Sequence, residues 1–80
     1  PYINISNYYL KNTKYKKCVE TLEDAVTKNI KTKELLNNLG IAYLAIKQNE
    51  KSKKMFEDAL KIDPEYKPSL DNLENLKNIS

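Results

Sequence analysis

Residues 22–26 read LEDAV, and residues 56–60, 34 positions later, read FEDAL. The same offset lays Tyr9-Leu10 on Tyr43-Leu44 and Lys17 on Lys51. It also runs Asn4, Asn38 and Asn72 down one column through three copies, with Ile5, Leu39 and Leu73 in the next and Tyr2, Leu36 and Leu70 in a third. One register accounts for every column, so the chain is an internal repeat with a period of 34 residues. A period of this length belongs to units of a few elements that cannot bury their apolar faces alone and bury them by stacking.

Within each copy the apolar residues recur at spacings of three and four. Leu36, Leu39, Tyr43 and Ile46 make one stripe, and Val19, Leu22, Ala25 and Val26 make another. That is the spacing of amphipathic helices. Three prolines and one glycine leave little material for the turns of a hairpin-rich sheet. The spacing predicts five helices, at about 2–12, 15–28, 33–46, 50–62 and 67–79. Thr32 suits an N-cap, Pro64 falls just past a helix end and Pro68 suits a first turn. Links this short make neighbouring helices antiparallel. Gly40, the one glycine, falls inside the third helix, where it costs about 1 kcal/mol relative to alanine. A close approach of the following helix would offset that cost, with Gly40 against Ala59 and, one repeat earlier, Ser6 against Ala25. Tyr9, Tyr43 and Phe56 are then expected to fill the space between successive hairpins.

These residues resemble the tetratricopeptide repeat family. In the second copy Leu36, Leu39, Gly40 and Tyr43 match the family's first-helix pattern, and Ser52, Phe56, Ala59 and Pro64 match its second helix and terminating proline. The first copy shows Tyr2, Ile5, Ser6, Tyr9, Tyr15, Cys18, Leu22 and Ala25 at the same places and departs at Ile30, where proline is expected. The third keeps Leu70 and Leu73, with Glu74 where a small residue belongs and Lys77 where tyrosine belongs. The resemblance covers the whole chain as about two and a third repeats. It implies an all-α fold of antiparallel helix-turn-helix repeats in a short right-handed α-solenoid. Repeat 1 would occupy 1–32 without its first residues, repeat 2 would occupy 33–66, and 67–80 would be a capping helix. Polar Glu74 and Lys77 suit a cap, whose outer face no further helix covers. The phase of the repeat leads us to expect a fragment of a longer protein, cut before Pro1 and native at its C-terminal end.

Composition narrows the function classes. All 14 basic residues are lysine, and 11 carboxylates are interspersed among them for a net charge of +3. Without arginine the chain lacks the usual bidentate reader of phosphate and guanine, so no nucleic-acid partner is expected. There is no histidine, and Cys18 is a single cysteine. No disulfide, metal site or nucleophile–base pair can be assembled from that set, so no catalytic residue, metal or cofactor is expected and the chain does not read as an enzyme. Cys18 reads as a packing residue. No apolar run is long enough to insert in a membrane, and Pro1-Tyr2 lacks the charged start of a signal peptide, which suits a cytoplasmic protein. Lys14, Lys16 and Lys17, with Lys51, Lys53 and Lys54 one repeat later, read as solvated surface at the starts of second helices, with an acidic partner as the alternative.

The family resemblance implies a protein-binding role. First helices of such repeats line a concave groove that takes extended peptides. Carried onto this chain, the groove positions are Ile3, Asn4, Asn7, Leu10 and Lys11, then Glu34, Asn37, Asn38, Ile41, Leu44 and Ala45, then Asp71, Asn72 and Asn75. Asparagine offers one acceptor and one NH2, so it can bond both backbone groups of an extended peptide. The Asn4, Asn38 and Asn72 column resembles the asparagine ladder of long tetratricopeptide superhelices. Asn7 and Asn38 also match the asparagines of the family's carboxylate clamp for chaperone tails, but Ile3, Pro68 and Asn72 occupy its basic places and cannot pair with a carboxylate. The expected role is therefore a non-catalytic module for a protein or peptide partner. The alternative is a structural element forming a homo-oligomer or packing intramolecularly through an apolar edge around Tyr2, Ile5 and Tyr9.

Overall fold

A computed structural model describes residues 2–79; Pro1 and Ser80, the outermost residues of the expected repeats, lie outside the described residues. The described chain forms α1 (Tyr2–Lys11), α2 (Tyr15–Thr27), α3 (Lys33–Ala45), α4 (Asn49–Ile62) and α5 (Lys67–Ile79). Each helix end lies within one residue of the position read from the pattern. Consecutive helices pack on one another, and α3 also touches both α1 and α5, so the first helices of the three copies stand side by side as in a helical solenoid.

The helix ends follow from local chemistry. The Thr32 hydroxyl oxygen accepts the Leu35 N–H at 3.1 Å, capping α3. Three helices end on a residue with positive φ: Thr13 (58°), Asn29 (64°) and Lys47 (64°). Around each, two backbone bonds close the last turn, such as Lys14 N–H to Tyr9 O at 2.8 Å with Thr13 N–H to Leu10 O at 3.2 Å. This pair of bonds is a Schellman motif, which normally recruits glycine. Thr13 and Lys47 are 34 positions apart, so the same turn is built twice without glycine. The departure at Ile30 has its reason here. Its N–H donates to Ala25 O at 2.9 Å, a bond that proline cannot make. One repeat later, Asp63 before Pro64 is extended at φ −140° and ψ 97°, as the residue preceding proline prefers.

The buried cluster joins Cys18, Val19, Leu22 and Ala25 of α2 to Leu35, Leu39, Ala42 and Tyr43 of α3. Leu36, Phe56 and Ala59 are buried as well. Gly40 does accommodate a close approach, and the atoms nearest to it are those of the Phe56 ring. A Cβ at Gly40 would lie 2.5 Å from Phe56 Cε1 and 2.7 Å from Cδ1. The ring is larger than the methyl group of Ala59 and reaches across the hairpin first, so Phe56 packs against α3 within repeat 2. The Ser52 hydroxyl adds a hydrogen bond to Gly40 O at 2.7 Å. In repeat 1 the equivalent hydrogen bond runs from the Cys18 thiol to Ser6 O at 3.9 Å. Tyr43 does span two hairpins, because its hydroxyl donates to the Glu23 carboxylate of α2.

Helix α5 differs from α1 and α3. Ser69 and Leu76 are buried, whereas Leu70 is 45% exposed although its equivalent Leu36 is 3% exposed. Leu36 sits near Val26, Met55 and Ile62, between α2 and α4. No described helix stands beyond α5 as α4 stands beyond α3, so Leu70 keeps the motif residue without its burial.

Three variants test this account. Gly40→Ala should destabilise the domain by ~1–3 kcal/mol through overpacking, despite the better helix former. Gly40→Ser with Phe56→Leu, which copies the Ser6 and Leu22 combination of repeat 1, should recover part of that loss in urea unfolding. Thr13→Gly should instead raise the melting temperature, with a net gain of ~0.5–1 kcal/mol after the entropy of glycine is set against relief of the left-handed threonine.

Candidate protein-interaction surface

The expected groove residues lie on α1, α3 and α5, and polar side chains hold these helices together. Asn38 Nδ2 donates to Ser6 Oγ at 2.9 Å and to Asn7 Oδ1 at 3.0 Å, tying α3 to α1. Asn72 Nδ2 donates to Asn37 Oδ1 at 3.0 Å, and the Ser69 hydroxyl donates to the same oxygen at 2.8 Å, tying α5 to α3. At both interfaces the residue of the asparagine column reaches back to the preceding first helix. Asn4, the column's first member, is exposed.

Asn37 therefore does not line open surface. It is 5% exposed, and its oxygen accepts two bonds. The signal for this lay in paired columns. Ile3 becomes Asn37 one repeat later, and Leu35 becomes Ser69. Half-buried Ile3 and buried Leu35 belong with the apolar cluster, whereas Asn37 and Ser69 bond each other. An apolar pairing at one interface is replaced by a hydrogen-bonded one at the next. Among the described residues, no buried side-chain nitrogen or oxygen lacks a partner.

What remains accessible on the first helices is mixed. Asn7, Lys11, Ala45 and Asn75 are exposed, while Leu10, Asn38, Ile41, Leu44 and Asn72 are half-buried. Leu10 packs against the core cluster, and Ile41 and Leu44 stand outside it. The remaining motif residues Tyr9, Leu36, Leu39, Tyr43 and Ala25 are buried or half-buried, and Pro64 is exposed in the turn after α4. Three fully buried serines, Ser6, Ser52 and Ser69, complete the small polar set between helices.

Electrostatics around this surface is structural in character. Burial pushes the Cys18 thiol up to about 11, which leaves it un-ionised and unreactive at neutral pH. Burial, followed by the Glu23 carboxylate, raises the Tyr43 phenol, and the Lys51 ammonium lies 5.7 Å from its ring centroid. Lys33 pairs with Asp63 at 2.7 Å, joining the start of α3 to the end of α4, and lies 5.1 Å from the Tyr66 ring centroid. The bond from Lys33, followed by the Glu65 N–H, holds Asp63 below its ordinary value, and the Asp63 bond raises Lys33. The pair therefore favours the fold between the ordinary carboxylate and ammonium ranges, and that contribution fades as acid protonates Asp63 or base deprotonates Lys33. No three His, Cys, Asp or Glu side chains cluster as a metal site among the described residues.

The repeated hairpins, the stacked first helices and the motif residues at 34-residue spacing have their counterpart among known proteins, because a tetratricopeptide repeat model matches residues 1–27 and 33–66. The chain belongs to the tetratricopeptide repeat family. Neither the curated proteins nor the solved structures yield a match. Tetratricopeptide repeats generally mediate protein–protein interaction and are typically non-catalytic. None of the described helices is long and apolar enough to cross a membrane.

The interface between α3 and α5 yields a prediction. Asn37→Ile should cost ~1–3 kcal/mol by leaving the buried Ser69 hydroxyl unpaired. It should also speed amide hydrogen exchange in α5 more than in α2. Adding Ser69→Leu, which restores the apolar pairing of repeat 1, should return much of the protection.

Proposed function

We propose that this tetratricopeptide domain binds an extended peptide segment of a partner protein across the first-helix face formed by α1, α3 and α5. The observation that carries this reading is the placing of Ile41 and Leu44. Both are half-buried apolar residues on α3 that stand outside the core cluster, beside amides on either flank. An apolar floor with a few convergent polar groups is the usual make-up of a ligand-binding surface. Leu10, Ile41 and Leu44 would take apolar side chains of the peptide. Asn4, Asn7 and Asn75, which are exposed, would bond its backbone, as would the oxygens of Asn38 and Asn72. Lys11 at the end of α1 would meet a carboxylate. The NH2 groups of Asn38 and Asn72 are committed to neighbouring helices, so the asparagine column contributes acceptors to a ligand more than donors. The reading requires no cofactor or metal.

A second reading rests on the outer side of α1. Ile5 is 43% exposed and Tyr8 is 60% exposed, although Leu39, the equivalent of Ile5, is buried. An apolar edge of this kind is suited to pairing with another copy or with more of the same chain.

An NMR titration with a pool of short extended peptides separates the two. For the groove, shifts should gather at Leu10, Ile41, Leu44 and Asn75, and Leu44→Asp should abolish them while leaving the fold intact. A groove that stays silent, with shifts at Ile5 and Tyr8 that grow with protein concentration, would reject peptide binding in favour of self-association.

A further inference from the structure

The lysines are not spread evenly over the molecule. The described ion pairs join Lys28 to Asp24, Lys33 to Asp63, Lys54 and Lys61 to Asp58, and Lys67 to Asp71. Apart from Lys54, these lysines lie at or near the edge where one repeat passes to the next, between α2 and α3 and between α4 and α5. The opposite edge holds the turns within repeats, from α1 to α2 and from α3 to α4. There Lys11, Lys14, Lys16, Lys17 and Lys47 are exposed and form no ion pair among the described residues. The carboxylates nearest them in the chain, Glu20 and Glu50, form none either, and the first turn of α2 holds no acid. The positive ends of α2 and α4 point the same way, and neither Lys14 nor Gln48 caps its helix through its side chain.

The two turns meet. Thr13, Lys14, Tyr15, Lys16 and Lys17 share a depression with Ile46, which belongs to the following repeat. Half-buried Tyr15 and Ile46 give it an apolar floor, and the lysines rim it. We infer that this turn edge is a docking surface, separate from the first-helix face, for an acidic peptide segment carrying one large apolar residue between its carboxylates. The apolar residue sits over Tyr15 and Ile46, and the flanking carboxylates meet Lys14, Lys16 and Lys17 around it. Charge complementarity selects the partner. Lysine is a flexible point charge that neutralises carboxylates without the planar fork that reads bases. Tyr15 and Ile46 are recessed and do not project, so they suit a side chain coming in from a partner better than insertion into a lipid surface.

The test uses the 80-residue chain and a short synthetic peptide of aspartate and glutamate with one central leucine. NMR shifts should map to Lys14, Tyr15, Lys16, Lys17 and Ile46, and affinity should fall steeply from low to physiological salt. The triple variant Lys14→Glu, Lys16→Glu, Lys17→Glu should bind the peptide at least about tenfold more weakly. Its helix content should hold, because acids suit the first turn of α2. Lys28→Glu with Lys61→Glu, at the opposite edge, should leave binding unchanged, and a peptide with glycine for leucine should bind more weakly than the original. The inference is overturned if the triple variant binds as tightly as the parent, or if the shifts map to Ile41 and Leu44. It is equally overturned if anionic lipid vesicles or a short single-stranded oligonucleotide bind this edge more tightly than the peptide does.

Discussion

The contact between Gly40 and the ring of Phe56 sets the spacing of α3 and α4, and the rest of the molecule is hung on that pair. With a hydrogen atom in place of a side chain, the backbone of α3 lies against a fully buried aromatic ring, and the same carbonyl accepts the Ser52 hydroxyl. Close approach brings Leu39 and Tyr43 of α3 into the cluster on the other side, where α2 supplies Cys18, Leu22 and Ala25. Repeat 1 uses Ser6 and Leu22 in the equivalent columns, a slightly larger residue on the first helix with a smaller one on the second. Volume is traded across the hairpin, which is how close-packed interiors keep their density when sequence changes.

Stacking of one hairpin on the next adds a second chemistry to the apolar α2–α3 cluster. Amides and hydroxyls link α1 to α3 and α3 to α5, each bonded polar group replacing water that would otherwise be lost without return. Such bonds are directional, and they fix the rotation of each first helix relative to its neighbour more sharply than apolar contact does. The asparagine column thus has a structural task before any ligand arrives. Acceptor oxygens left on Asn38 and Asn72, together with the apolar pair Ile41 and Leu44, are what that task leaves free for the proposed peptide.

Much of this architecture is legible in the chain because the repeat writes each element more than once. A stripe that is ambiguous in one copy is resolved by its partner 34 residues away, and the capping signals at Thr32 and Pro64 locate the boundaries. The identity of contacts was harder to read. Gly40 announces that something comes close, but the column of small residues, Ala25 and Ala59, does not reveal that the Phe56 ring reaches it first, since reach depends on the size and rotamer of that side chain. Asn37 was hidden for another reason. An asparagine on a first helix looks alike whether it faces solvent or a buried serine, and only the joint change of Ile3 to Asn37 and Leu35 to Ser69 distinguishes the two. Leu70 shows the converse, a motif residue whose burial depends on a neighbouring helix and not on its own identity.

The links that join non-adjacent helices are also short along the chain. Asn38 reaches Ser6 across 32 residues, and Asn72 reaches Asn37 across 35, little more than the period of the repeat. No described side-chain hydrogen bond ties α1 to α5, so the links between non-adjacent helices close loops of similar, modest length. Entropy lost in loop closure grows only slowly with length. Helical chains rich in contacts within their helices and hairpins order in microseconds to milliseconds, as a class. Further hairpins added in the same register would lengthen the solenoid without lengthening any loop, so the time needed to order each new unit would stay nearly constant as the array grows.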